Sequence, residues 1–109
     1  MGRWAQSKRR GSTGVNPGLL GPPPAPTLEV NDGHLWQYAQ FEDDVGGRCQ
    51  LWQSETENGV YSFYDEAAFQ VNLDWGPAAA YADHWWKALQ IGGGQQYVGT
   101  SDWSGALFI

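Results

Sequence analysis

Cysteine and long apolar runs are both scarce in this sequence. Cys49 is the only cysteine among 109 residues, which excludes a disulfide within the chain and leaves no sign of an oxidising compartment. No run approaches the roughly 20 consecutive apolar residues that a membrane-spanning helix requires. The basic N-terminus is not followed by an apolar stretch of signal-peptide length. We therefore expect a protein that is made and used without Sec export and without a membrane.

Positive charge is nearly absent after residue 10. Arg48 and Lys87 are the only basic residues in the rest of the chain, and the other four lie within the first ten residues. Residues 1–27 carry a charge of +4, whereas residues 28–109 hold two basic residues and all 12 acidic residues, a charge of −10. This asymmetry predicts two parts with different roles, a basic arm and an acidic folded body.

The basic part shows neither helical nor strand periodicity and ends in a proline-rich stretch. Three consecutive prolines within residues 21–26 favour an extended polyproline II spacer. We interpret residues 1–26 as an arm and linker that extend away from the body and become ordered on a neighbouring subunit; the alternative is a disordered tail. The residues expected to bind that partner are four cations and one aromatic anchor: Arg3, Trp4, Lys8, Arg9 and Arg10.

From residue 27 onward the sequence has the short, alternating pattern of β-strands. The expected strands cover residues 27–30, 34–41, 48–54, 60–64, 69–73 and 85–91, with closing segments at 96–98 and 106–109. Asn31-Asp32-Gly33 carries a tight-turn signal between the first two strands. This organisation predicts an all-β, seven-stranded antiparallel sandwich over residues 27–109.

Tryptophan is abundant in the body, where six of the seven lie. A folded part of this size has a small core, and each aromatic side chain buries about 150–250 Å², so tryptophans are expected to fill much of it. The residues expected in the core are Leu51, Val71 and Trp86. Alternatively, some tryptophans form an exposed aromatic surface for a partner or a sugar. The candidates for that surface are Trp75, Trp85 and Trp103.

Four segments of the body follow the pattern of one sandwich family. They are the proline-rich lead-in at residues 22–26, the third strand at residues 49–54, the pair Trp85-Trp86 that opens a late strand, and a final strand that begins Trp103-Ser104-Gly105 and ends Leu107-Phe108-Ile109. Over residues 22–109 the chain resembles a fibronectin type III domain, an immunoglobulin-like sandwich. Domains resembling this family occur in tailed-phage virions, so the resemblance implies a structural role and a location in a virion or the cytoplasm.

Residues that carry chemistry are few and scattered. His34, His84 and Cys49 have no zinc-binding spacing, and the acidic run at residues 42–44 lacks the alternating ligands of a calcium loop. Gly92-Gly93-Gly94 lacks the lysine of a phosphate-binding loop, and a hairpin turn explains it better. We expect no cofactor, no metal and no enzymatic activity, and no cleft that brings two of His34, His84 and Cys49 together with a carboxylate.

Three functions are compatible with these features. The leading hypothesis is a structural or assembly protein, such as a capsid-decoration or head–tail component, whose arm docks on protein subunits that include copies of itself. The second is a carbohydrate- or surface-binding module that uses exposed tryptophans. The third is an adaptor or inhibitor that offers its acidic body to a basic protein. Nucleic acid would be bound only through the arm, because the −10 body repels phosphate.

Overall fold

Two antiparallel sheets make up the body of the molecule. The computed structural model describes residues 19–42 and 45–109, and within these residues there are seven strands. They are β1 (Thr27–Asn31), β2 (His34–Tyr38), β3 (Arg48–Ser54), β4 (Ser62–Ala68), β5 (Asn72–Pro77), β6 (Trp85–Ile91) and β7 (Leu107–Phe108). One sheet has the order β1-β2-β5 and the other the order β4-β3-β6-β7, and a short 3-10 helix, η1 (Ala78–Tyr81), connects β5 to β6. The prediction of an all-β sandwich is confirmed.

The turn between β1 and β2 has the geometry that its sequence indicates. Asp32 and Gly33 both have positive φ angles, of 53° and 76°, and Asn31 pairs with His34 across the turn. Positive φ at both central residues defines a type I′ hairpin, which Asp-Gly favours because glycine has no Cβ and aspartate tolerates this region.

The core joins the two sheets through a small group of large side chains. The buried cluster consists of Leu35, Leu51, Tyr81 and Trp86. Leu35 comes from the three-stranded sheet, whereas Leu51 and Trp86 come from the four-stranded sheet. The prediction that Leu51 and Trp86 lie in the core is therefore confirmed.

The prediction for Val71 is wrong, because its side chain is 39% exposed. The strand expected at residues 69–73 begins only at Asn72, which pairs with Tyr38, the last residue of β2. Val71 lies beyond that pair, where no strand covers it. Leu73, which is opposite the buried Gln37, enters the core instead.

Residues 96–98 also do not form the expected strand. They belong to a narrow turn in which Gly94 N–H donates to Tyr97 O (2.8 Å) and Gly92 N–H donates to Gly99 O (2.8 Å). An added Cβ on Gly92 would lie 2.6 Å from the backbone carbonyl carbon of Tyr97, so only glycine allows this close return.

The linker does not extend away from the sandwich, contrary to expectation. Leu20 N–H donates to Gln96 O and Val98 N–H donates to Gly21 O, each at 2.9 Å. Pro23 and Pro26 are buried. Residues 20–26 are therefore part of the folded body. The predicted partner-binding residues Arg3, Trp4, Lys8, Arg9 and Arg10 lie outside the described residues.

A buried polar contact connects the two sheets. The Gln37 side-chain nitrogen donates to Leu89 O (3.1 Å) and to Gln90 Oε1 (2.6 Å), and Trp75 Nε1 donates to Gln37 Oε1 (3.1 Å). Both glutamines are fully buried. Because buried amides need partners, these bonds favour this one alignment of the sheets over others.

Candidate binding surface

The three tryptophans predicted to form an aromatic surface lie in different places. Trp75 of β5 is half-buried and packs against the core cluster. Trp85 of β6 is half-buried and contacts Phe108 at 5.3 Å between ring centroids. Trp103 precedes β7 and is 41% exposed. The structure thus separates Trp75 from the other two, which flank the outer face of the four-stranded sheet.

An exposed group of aromatic rings surrounds Lys87 on this outer face. We call it the outer aromatic cluster, and it consists of Trp52, Tyr61, Phe63 and Trp103. The ring centroid of Trp52 lies 5.7 Å from that of Phe63 and 5.5 Å from that of Trp103, both in edge-to-face geometry. Such pairs contribute about 0.5–1.5 kcal/mol beyond the area that they bury. The cluster is therefore a packed but solvent-facing apolar surface.

Alternation along β3 and a bulge in β4 together place Trp52 and Phe63 on the outer face. Leu51 is buried, so the next residue, Trp52, points outward. The β3–β4 register shifts between Leu51 and Trp52, where Tyr64 is the extra residue of β4, and this shift brings Phe63 opposite Trp52. Alternation along β6 buries Trp86 and places Lys87 on the outer face, opposite Trp52. Sequence reasoning did not assign Trp52, Tyr61 and Phe63 to a surface, and the position of Phe63 beside Trp52 depends on this bulge.

Two serines hold Trp103 against the sheet. The N–H groups of Ser101 and Ser104 donate to the carbonyls of Gln90 and Ala88 on β6, each at 2.9 Å. The serine hydroxyls accept hydrogen bonds from the N–H groups of the same two residues, at 2.9 and 2.8 Å. Both serines are buried, so the segment that carries Trp103 is fixed at two points. The Ser-x-x-Ser spacing around a tryptophan is the sequence signal for this arrangement.

One cation lies among the exposed rings. The Lys87 Nζ atom is 4.6 Å from the ring centroid of Tyr61 and 5.7 Å from that of Trp103, both within cation–π range. The Tyr61 hydroxyl donates to Glu57 O at 2.7 Å, and partial burial, with a smaller contribution from the Glu57 charge, raises the pKa of Tyr61. The tyrosine is therefore a neutral hydrogen-bonding group, and the surface can bind by apolar, aromatic and cation–π contacts.

The outer face of the three-stranded sheet has a different character. His34, Trp36 and Tyr38 of β2 point outward there, and Trp36 lies directly between Glu29 and Asp74 on the neighbouring strands. A shallow depression of about 220 Å³ is lined by Asn31, Asp32, His34, Trp36 and Asp74. We call the surface formed by Glu29, Asp32, Trp36 and Asp74 the acidic-aromatic face.

Each histidine contacts a carboxylate, which the sequence did not indicate. His34 Nδ1 lies 2.9 Å from Asp74 Oδ1, and this hydrogen bond is the main reason why the pKa of Asp74 is lowered. His84 Nε2 lies 3.3 Å from Glu55 Oε2. Cys49 is buried within β3, and burial raises the pKa of its thiol. His34, His84 and Cys49 thus occupy three separate environments.

Clustered metal ligands and long apolar helices are both absent from residues 19–42 and 45–109. No group of three or more His, Cys, Asp or Glu residues in these segments is arranged to hold a metal ion. No helix in the same part of the chain is long and apolar enough to cross a bilayer. Comparisons with protein-family models, with curated proteins and with solved structures found no match to this chain.

Proposed function

We propose that this protein is a non-enzymatic assembly subunit that binds neighbouring protein subunits, copies of itself included. The outer aromatic cluster carries this proposal. Phe63 and Trp103 are 51% and 41% exposed, beside Tyr61 and Lys87 on one sheet face. Interface cores are enriched in tyrosine, tryptophan and phenylalanine, and exposed apolar groups of this kind mark sites of protein contact.

A fibronectin type III-like identity for the sandwich is part of the proposal. Strand β4 pairs with β3 and not with β5, which places it in the sheet of β6 and β7. In constant-type immunoglobulin domains the fourth strand joins the sheet of the first, second and fifth strands. The observed placement therefore supports the fibronectin type III-like variant. The virion setting stays a prediction from the sequence resemblance.

The geometry of the rings favours a protein partner over a sugar. A stacking platform for sugars presents free ring faces, whereas here Lys87 lies over the faces of Tyr61 and Trp103, and Trp52 meets its neighbours edge to face. The rings form a contoured surface with little flat area. We therefore place a carbohydrate-binding function second.

Sedimentation velocity of the full chain over a range of concentrations tests the proposal. We expect reversible self-association that is weakened in a Phe63→Ser, Trp103→Gln double variant. Val45→Ser is the matched control, because Val45 is also exposed but lies in the turn before β3. Far- and near-UV circular dichroism checks that each variant is folded. A chain that stays monomeric at all concentrations, or a control variant that dissociates as readily as the double variant, would contradict the proposal.

A further inference from the structure

The three-stranded sheet carries negative charge without any lysine or arginine. Strands β1, β2 and β5 contain no basic residue other than His34, which is engaged with Asp74. Glu29 and Asp32 have no cationic partner among the described residues. On the other sheet, by contrast, Arg48 pairs with Glu66 at 2.9 Å. The acidic-aromatic face therefore has no lysine or arginine of its own sheet to compensate Glu29 and Asp32.

An aromatic ring lies between these carboxylates. Glu29 and Asp74 lie opposite Trp36 on its two neighbouring strands, so the Cβ atom of each is about 4.5–5.5 Å from the Cβ atom of Trp36. Trp36 Nε1 donates to Asn31 O at 3.1 Å, which orients the indole ring. Tryptophan is the preferred partner for a cation above a ring, and arginine combines such stacking with bidentate bonds to carboxylates. The arrangement suits an arginine- or lysine-containing peptide.

This chain itself contains such a peptide. Four of its six basic residues lie within residues 1–10, and the segment from residue 28 onward carries a charge of −10. We propose that the acidic-aromatic face binds the basic segment of residues 1–10 from a neighbouring copy of the chain. This inference rests on the proposed assembly function and names the surface on which the arm docks.

The position of Leu20 favours a neighbour over the same molecule. Leu20 contacts Gln96 at the end of the body where β1 begins, whereas the depression lies at the turn where β1 ends. To reach the depression of its own molecule, the basic segment would have to span the length of β1, a constraint that does not apply to a neighbouring copy.

Zero-length cross-linking of the full chain tests this contact. A carbodiimide joins amines to carboxylates in direct contact, and the chain has only two lysines, Lys8 and Lys87. A mixture of ¹⁵N-labelled and unlabelled protein distinguishes links between copies from links within one copy. We expect mixed-label peptides that join Lys8 to Glu29, Asp32 or Asp74, with a severalfold lower yield when salt is raised from about 0.05 M to about 0.5 M.

Charge variants sharpen the test. Glu29→Arg should raise the apparent dissociation constant for self-association about tenfold and reduce the links from Lys8 to Asp32 and Asp74. Glu42→Arg makes the same substitution at an exposed residue in the connection between β2 and β3 and should have little effect. Links from Lys8 only within one copy, links to carboxylates elsewhere, or no links would overturn the inference. If the expected cross-links are absent but self-association persists and still depends on Phe63 and Trp103, only the docking of the arm is contradicted and the proposed assembly function stands. If the chain does not self-associate at all, both proposals are contradicted.

Discussion

Single residues determine how this small body obtains a stable core. Trp86 is 1% exposed, donates a hydrogen bond from Nε1 to Tyr81 O at 2.8 Å, and meets the rings of Tyr64 and Tyr81 edge to face. Its neighbour Trp85 has the same side chain but points to the outer face and is only half-buried. Alternation along one strand thus assigns two identical residues to different roles.

The adjacent tryptophans allow a matched test of the core. Trp86→Ala should lower the free energy of unfolding by about 3–5 kcal/mol, because it removes buried area and leaves a cavity. Trp85→Ala should lower it by only about 1–2 kcal/mol, since that ring is half in solvent. Urea unfolding followed by circular dichroism measures both. Equal losses in the two variants would show that the assignment of inner and outer faces is incorrect.

At the scale of elements, the body depends on a close crossing of two connections. The turn before β3 passes directly over the glycine run that follows β6. A Cβ on Gly93 would collide with the carbonyl oxygen of Val45 and lie 2.5 Å from Gly47 N. Glycine at position 93 is therefore needed for the close approach of this backbone to that of residues 45–47. The interpretation of residues 92–94 as part of a hairpin turn agrees with the hydrogen bond from Gly94 N–H to Tyr97 O.

A single methyl group tests this crossing. Gly93→Ala should lower the free energy of unfolding by about 1–3 kcal/mol, because the surrounding atoms are backbone and cannot move aside cheaply. Gly105→Ala is the control, since a Cβ there would meet nothing within 4 Å, and a change within about 0.5 kcal/mol is expected. Thermal and urea unfolding provide the comparison. An unchanged stability for Gly93→Ala would mean that the two connections lie further apart.

At the scale of the whole molecule, residues 20–26 belong to the folded body and not to a linker that extends away from it. The proline-rich segment is attached through Leu20 and Gly21, and it buries Pro23 and Pro26. The two sheet faces also differ. The acidic-aromatic face lacks lysine and arginine, whereas the outer aromatic cluster surrounds Lys87. The molecule therefore has two chemically distinct outer surfaces.

Two truncations locate the boundary of the folded body. A chain that begins at residue 19 keeps every hydrogen bond described above and should melt near the temperature of the full chain. A chain that begins at residue 27 loses two backbone hydrogen bonds and two buried prolines, which should cost about 2–4 kcal/mol. Differential scanning calorimetry measures the difference. If both truncated chains melt alike, the linker contributes nothing to the body.

Local patterns in the sequence were enough to predict the architecture and part of the core. Alternation identified the all-β sandwich, Asp32-Gly33 identified the first hairpin, and the apolar face of the third strand placed Leu51 inside. The charge split was equally evident, because it needs only a count of residues. These properties depend on neighbours along the chain, which is why the sequence alone determined them.

Only the tertiary structure decided which aromatic side chains are exposed side by side on one surface. Val71 fits a buried strand by pattern but lies beyond the end of β2, and Trp75 turns toward the core and bonds Gln37. Phe63 lies opposite Trp52 because the register shifts by one residue between Leu51 and Trp52, where β4 has the extra residue Tyr64. Strand lengths, bulges and cross-strand partners arise from contacts between segments far apart in sequence. A shift of one residue moves a side chain to the opposite face, so the composition of each surface depended on the packed fold.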